Sequence, residues 1–203
     1  METNPKESRN VADIAKAREL SGWLNQQMRG LTFEYEHRLG FASACFSLAF
    51  EHHDAIILLF ERRMAGSAFS LVRPAFETYI RGVWLLQCAK DSQIEQFAKG
   101  RCDPSVEKMI SDLEGQGYTA GGELSKSWKG KKRLHDFTHG GFLHLQRRFQ
   151  PPDGIGANYP DEDVITVLGF VNAIVLMCME AQARVCKDRH LQMAVLEKAK
   201  EYA

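Results

Sequence analysis

Apolar residues along this chain recur every three or four positions almost from end to end, the spacing that gathers them on one face of an α-helix. From Asn10 to Met28 the period is kept by Val11, Ile14, Leu20, Trp23, Leu24 and Met28, and Gly30 supplies a stop. Thr32 is placed to cap a second helix, whose run Leu39, Ala42, Cys45, Phe46, Ala49, Ile56 and Leu59 extends to about Arg63. Gly40 lies inside that run, so one long helix or two shorter ones both satisfy it. After a short turn at Met64 to Gly66, a third helix runs from about Ser67 to Ala89, with Leu71, Phe76, Tyr79, Ile80, Val83, Trp84 and Leu86 as its bulk.

The remainder is more broken. A short helix from Asp91 to Gly100 is followed by Asp103 and Pro104, a capping side chain and a first-turn proline that together start another helix; Gly115 and Gly117 end it. Tyr118 to Gly122 reads as a turn, and Leu124 to Leu145 mixes bases, histidines and glycines without a clean period. Three prolines and two glycines make 150–160 a loop. The acidic cluster Asp161, Glu162, Asp163 then suits the start of a long helix reaching about Lys187, and a terminal helix follows from Leu191 to Tyr202. No window alternates as a strand. The pattern predicts an all-α fold: one domain over 1–203, a bundle of about five to seven helices with mostly antiparallel neighbours, and disorder over 1–9.

Composition adds little to this and excludes several classes. Hydrophobic residues make up 44% and charged residues 26%, ordinary globular values. Twenty-six bases balance twenty-six acids, so the whole molecule carries no bias toward nucleic acid or anionic lipid. Five cysteines with no C-x-x-C spacing read as reduced thiols. Residues 1–10 are polar, without a signal-like apolar region, and the longest apolar stretch, Val164 to Met179, falls short of the ~20 residues of a membrane span. A cytoplasmic protein with no membrane partner and no cofactor is expected.

Two segments depart from plain amphipathic pattern. In the third helix, Arg73, Glu77 and Arg81 follow one another at i, i+4 and i+8, with Trp84 close to the same stripe. Pro74 within this helix removes a hydrogen bond and frees the carbonyl of Ser70. Such a stripe is either a grip for an anionic ligand or an ion network tying two helices together. The second segment opens with Lys126, Lys129, Lys131, Lys132 and Arg133 around Trp128, and continues through His135, Asp136, Phe137, Thr138, His139, Gly140 and Gly141. A basic run is also simply a solvated face. His135 and His139 have the i, i+4 spacing of metal ligands, but no glutamate accompanies them and the glycine pair breaks the helix, so no metal is expected. Arg133 and His139 fit the loose R-x(4–6)-H pattern of metal-independent ribonucleases, in which arginine stabilises the phosphorane and histidine moves the 2′-hydroxyl proton. Leu134 stands where a polar residue usually follows that arginine.

The run from Leu71 to Leu85, together with Phe137-Thr138-His139-Gly140-Gly141 and the pair Arg147-Arg148, resembles a family of bacterial proteins known only as a domain of unknown function, DUF6988, similar to DUF5677. The resemblance extends from about Asp54 to about Val175. It implies a helical core with distant HEPN-like character, many proteins of which are ribonucleases or defence effectors. It transfers no catalytic residue beyond Arg133 and His139. Three expectations follow. One is a ribonuclease using His139 with Arg133 or a stripe arginine. The second is a non-catalytic module that binds a small anion or protein partner through Arg73, Glu77, Arg81, Trp84, Thr138 and Gly140. The third is a homo-oligomeric, dimeric scaffold. The two segments are expected to converge.

Overall fold

The computed structural model describes residues 5–34, 36–150, 152 and 154–202, without the side chains of 5–9, 120 and 131–133. Helices account for 76% of the chain, and ten α-helices stand among the described residues, more than periodicity predicts. Four are long: α1 (Pro5–Met28), α2 (His37–Glu61), α3 (Ala65–Gln87) and α9 (Asp161–Val185). Between them lie α4 (Asp91–Ala98) and α5 (Val106–Gly115), both expected, and then the excess, α6 (Glu123–Trp128), α7 (Lys131–His139) and α8 (Phe142–Gln146). A two-stranded hairpin, β1 (Phe149–Gln150) with β2 (Gly154–Ile155), occupies part of the expected loop, and α10 (Arg189–Lys200) closes the chain.

Several boundaries differ from expectation for physical reasons. The first helix begins at Pro5, inside the stretch expected to be disordered. The cap position of α2 is Glu36 and not Thr32; α2 starts at His37 and passes unbroken through Gly40, whose amide donates to the Glu36 carbonyl. The cap of α5 is Ser105, which accepts from the Lys108 amide, because Asp103 is drawn away into an ion pair with Arg81.

Only three residues, Arg62 to Met64, separate α2 from α3, so the two run antiparallel. Arg38, early in α2, consequently reaches the far end of α3, donating from Nη1 to the carbonyls of Leu85 and Ala89 and pairing through Nη2 with Asp91, all at 2.7 Å. It thereby satisfies carbonyls that a helix end leaves open. Arg18–Glu61 and Asn25–Asp54 pairs set α1 antiparallel to α2 in the same way. The long neighbours of α9 do not all follow this rule. Phe76 stacks on Phe170, and further along both helices the Tyr79 hydroxyl donates to Met177 Sδ at 3.4 Å, so α3 and α9 point in the same direction. The reason is the crossover, residues 88–160, which carries the chain back along α3 before α9 begins.

That return is ordered. Asp112 of α5 meets Trp84, Tyr118 meets Tyr79, Trp128 of α6 stacks on Phe76, and Phe137 of α7 packs on Phe69. Progress along the crossover is thus progress backwards along α3. Helix α9 fills the middle, giving Ile174 and Cys178 to one core cluster, Val164 and Leu168 to a second, and Val175 and Met179 to a third. Within it, Asn172 bonds the buried His53 of α2 at 2.8 Å. By length and composition α2 and α9 would each reach across a membrane, and 61% of the most apolar window of α9 is buried inside the protein. All five cysteines are unpaired. Burial pushes the Cys45 thiol up to about 11 and the Cys178 thiol well above its ordinary value, so neither supplies a thiolate nucleophile at neutral pH.

At Gly82, α3 lies hard against Cys45 and Phe46 of α2. A Cβ there would stand 2.6 Å from Cε1 of the fully buried Phe46. Gly82→Ala is expected to lower stability by about 1–3 kcal/mol through overpacking, measured as a lower urea midpoint at unchanged m.

Candidate functional site

The site begins with two carbonyls that their own helices cannot satisfy. Pro74 has no amide for Ser70 O. Helix α7 ends at Gly140, held at φ 65°, and the Gly141 amide turns to Asp136 O at 2.7 Å, so Phe137 O loses its regular i+4 donor. Each helix meets the other's need. The Ser70 hydroxyl lies 2.8 Å from Phe137 O and 3.0 Å from Gly66 O, and the Thr138 hydroxyl lies 2.8 Å from Leu134 O and 3.3 Å from Ser70 O. Both hydroxyls are shared in three-centre arrangements. Phe137, 4% exposed, completes the joint against Phe69 and Tyr159.

With α7 fastened there, His135 comes to Arg73. Arg73 Nη1 is 2.6 Å from His135 Nδ1, and Arg73 Nε donates to Glu77 Oε1 at 2.6 Å. The guanidinium also stands over the Trp128 ring, 5.5 Å from its centroid, while the Trp128 indole N–H donates to Glu107. A guanidinium has no lone pair to offer, so Nδ1 of His135 must accept and its ring proton must sit on Nε2. The His139 ring follows at 4.4 Å centroid to centroid. Both imidazoles are exposed, and no group of three or more metal-ligating side chains assembles among the described residues.

The predicted stripe therefore divides. Arg73 and Glu77 join the second segment; Arg81 and Trp84 do not. Arg81 lies eight positions along the helix from Arg73, about 12 Å of rise, and pairs instead with Asp103 at 2.7 Å. Trp84 is 1% exposed and donates to Asp112 Oδ2 at 3.0 Å, so it is a core residue and cannot wall a ligand site. Thr138 serves the joint described above. Gly140 supplies the left-handed turn, and Gly141 has room for no Cβ, which would lie 2.7 Å from Asp136 Cγ. Asp136 in turn accepts the Leu143 amide at 3.2 Å, capping α8. The side chain of Arg133 lies outside the described residues. Of Phe137-Thr138-His139-Gly140-Gly141, four members hold the joint together, and His139 alone has no such task.

Sequence reasoning singled out His135 as one half of a metal pair and Trp128 as part of a basic run, and missed both as partners of Arg73. The i, i+4 spacing of the histidines was the available signal. The histidine face is open surface. It belongs neither to the cavity of about 510 Å³ near Asn10 and Tyr159 nor to the cleft of about 240 Å³ between α7 and α9.

The model of a family of unknown function, DUF6988, matches residues 46–203, and the chain belongs to that family. The match takes in both segments of the site and extends past the resemblance at each end. No curated protein and no solved structure matches the chain.

Ser70→Ala is expected to cost about 1–3 kcal/mol, because Phe137 O is then buried without a donor. In a double-mutant cycle with Thr138→Val, the two losses should be non-additive by more than about 0.5 kcal/mol; simple additivity would mean the hydroxyls act separately. Asp112 gives a pH test of the other half of the stripe. The Lys108 ammonium first, and the Trp84 indole after partial burial opposes it, hold its carboxyl below its ordinary value. Its contribution is thus fully present above the unfolded carboxylate range and is lost as pH falls through the lowered folded value. Wild type should lose more stability than Asp112→Asn on acidification below about pH 4, read from urea titrations at each pH.

Proposed function

We propose that the Arg73–His135–His139 face binds a phosphate group and cleaves RNA without a metal ion. The observation that carries this reading is the Arg73–His135 bond, which sets a fixed guanidinium and two exposed imidazoles side by side on open surface. A polymer suits such a face better than a small molecule, which is usually enclosed.

Arg73, held by Glu77, and the Nε2–H of His135 would grip the non-bridging phosphate oxygens and stabilise the charge of the phosphorane. His139 would take the 2′-hydroxyl proton as the O2′–P bond forms. As the P–O5′ bond breaks, the proton passes from His139 to O5′, leaving a 2′,3′-cyclic phosphate, a free 5′-hydroxyl and a neutral imidazole. In this scheme the arginine role expected of Arg133 falls to Arg73. A second reading is a module that binds anions and does no chemistry. It is favoured by the engagement of His135 Nδ1 with Arg73, which leaves that imidazole a donor to an anion and no free base.

Incubated with single-stranded RNA and a chelator at neutral pH, the wild-type protein should yield 2′,3′-cyclic ends. His139→Ala should slow the reaction by about 100-fold or more, and Arg73→Lys should not rescue Arg73→Ala. Equal rates in wild type and His139→Ala, or no cleavage by either, would leave only the anion-binding reading.

A further inference from the structure

We propose that α8 and the hairpin form a stacking platform for the bases of single-stranded RNA, beside the histidine face. This rests on reading that face as directed to RNA. Phe142 is 70% exposed, Leu145 55%, Phe149 59% and Ile155 73%, while the other aromatic rings among the described residues are largely packed away. Phe142 and Leu145 share one face of α8 at i, i+3, and Phe149 stands directly opposite Ile155 in the antiparallel register, which puts both on one face of the hairpin. Exposed apolar side chains gathered in so short a stretch mark an interaction surface.

Charge selects the partner. Residues 123–150 hold seven bases (Lys126, Lys129, Lys131, Lys132, Arg133, Arg147, Arg148) against Glu123 and Asp136, a formal +5 in a chain of net zero. Arg147 is committed to Asp163 at 2.6 Å, while Arg148, between Leu145 and Phe149, is exposed. Basic residues followed by exposed rings, with Arg147 and Arg148 between the two phenylalanines, are what a single strand needs: cations for its phosphates and flat apolar faces for its bases. Continuity points the same way. Only Gly140 and Gly141 separate His139 from Phe142, and the Asp136 cap fixes the start of α8. A lipid surface would fit the charge and the apolar side chains, but gives no role to the adjoining imidazoles.

The test uses the full chain and a fluorescent 2′-O-methyl oligouridylate of twelve residues, which binds but cannot be cleaved because its 2′-oxygen carries no proton. Fluorescence anisotropy should show that Phe142→Ala and Phe149→Ala each weaken binding roughly tenfold, with the melting temperature unchanged. A duplex of the same length, which exposes no base faces, should bind more weakly and be indifferent to both substitutions. Single-strand binding unaffected by either alanine overturns the platform. So does tighter binding to phosphatidylglycerol vesicles than to the oligonucleotide, or light scattering that shows a dimer dissociated by Phe142→Asp, which would assign the patch to a second copy of the chain. Ring-dependent binding without cleavage of ordinary RNA would remove the catalytic reading and leave the platform standing. Cleavage with affinity blind to both rings would do the reverse.

Discussion

Proline at position 74 takes an amide out of the middle of α3, and the Ser70 carbonyl it leaves must be met from outside that helix. The same is true of Phe137 O at the end of α7, once the Gly140 turn has redirected the next amides. Two helices with complementary defects are joined through Ser70 and Thr138, whose hydroxyls reach across to those carbonyls while remaining bonded within their own helices. The distance and rotation between α3 and α7 follow from this exchange, and with them the contact between Arg73 and His135. What stands out in the sequence as a possible ligand motif is, for the most part, the machinery of this joint.

The crossover makes the joint possible. Because residues 88–160 retrace α3 from its C-terminal to its N-terminal end, each short helix is laid beside one stretch of α3, and α9 can enter parallel to it. A second antiparallel hairpin would have placed α9 against α3 without any covering layer. The site is built on that layer, at the point where the retracing reaches Arg73.

The long helices were legible because their apolar residues repeat over six or more turns, which outweighs local irregularities such as Gly40. Of the shorter ones, α4, α5 and α10 were legible from the residues that start and stop them, and α6 to α8 were not. Helices of five to nine residues carry few periods, and 124–145 adds glycines and basic residues that interrupt what period there is. Asp103 shows how a sound local rule is overridden: a good cap beside a proline was taken up by Arg81, twenty-two positions away. The site was half legible. Both segments were distinguished by composition, and the hydrogen-bonding demand of Pro74 followed from its chemistry. No spacing rule reaches across the 62 positions between Arg73 and His135, and none shows that Trp84 faces Asp112 while Trp128 lies under Arg73.

Nine residues is below the length at which an isolated helix persists in water, so α7 exists because it is docked. Its amides can therefore exchange with solvent by undocking, at a free energy smaller than that of unfolding the four long helices. The histidine face is in that sense a removable part of the protein. Hydrogen exchange along Lys131–His139 would read its occupancy directly, and whatever binds there would slow that exchange by drawing the opening equilibrium closed.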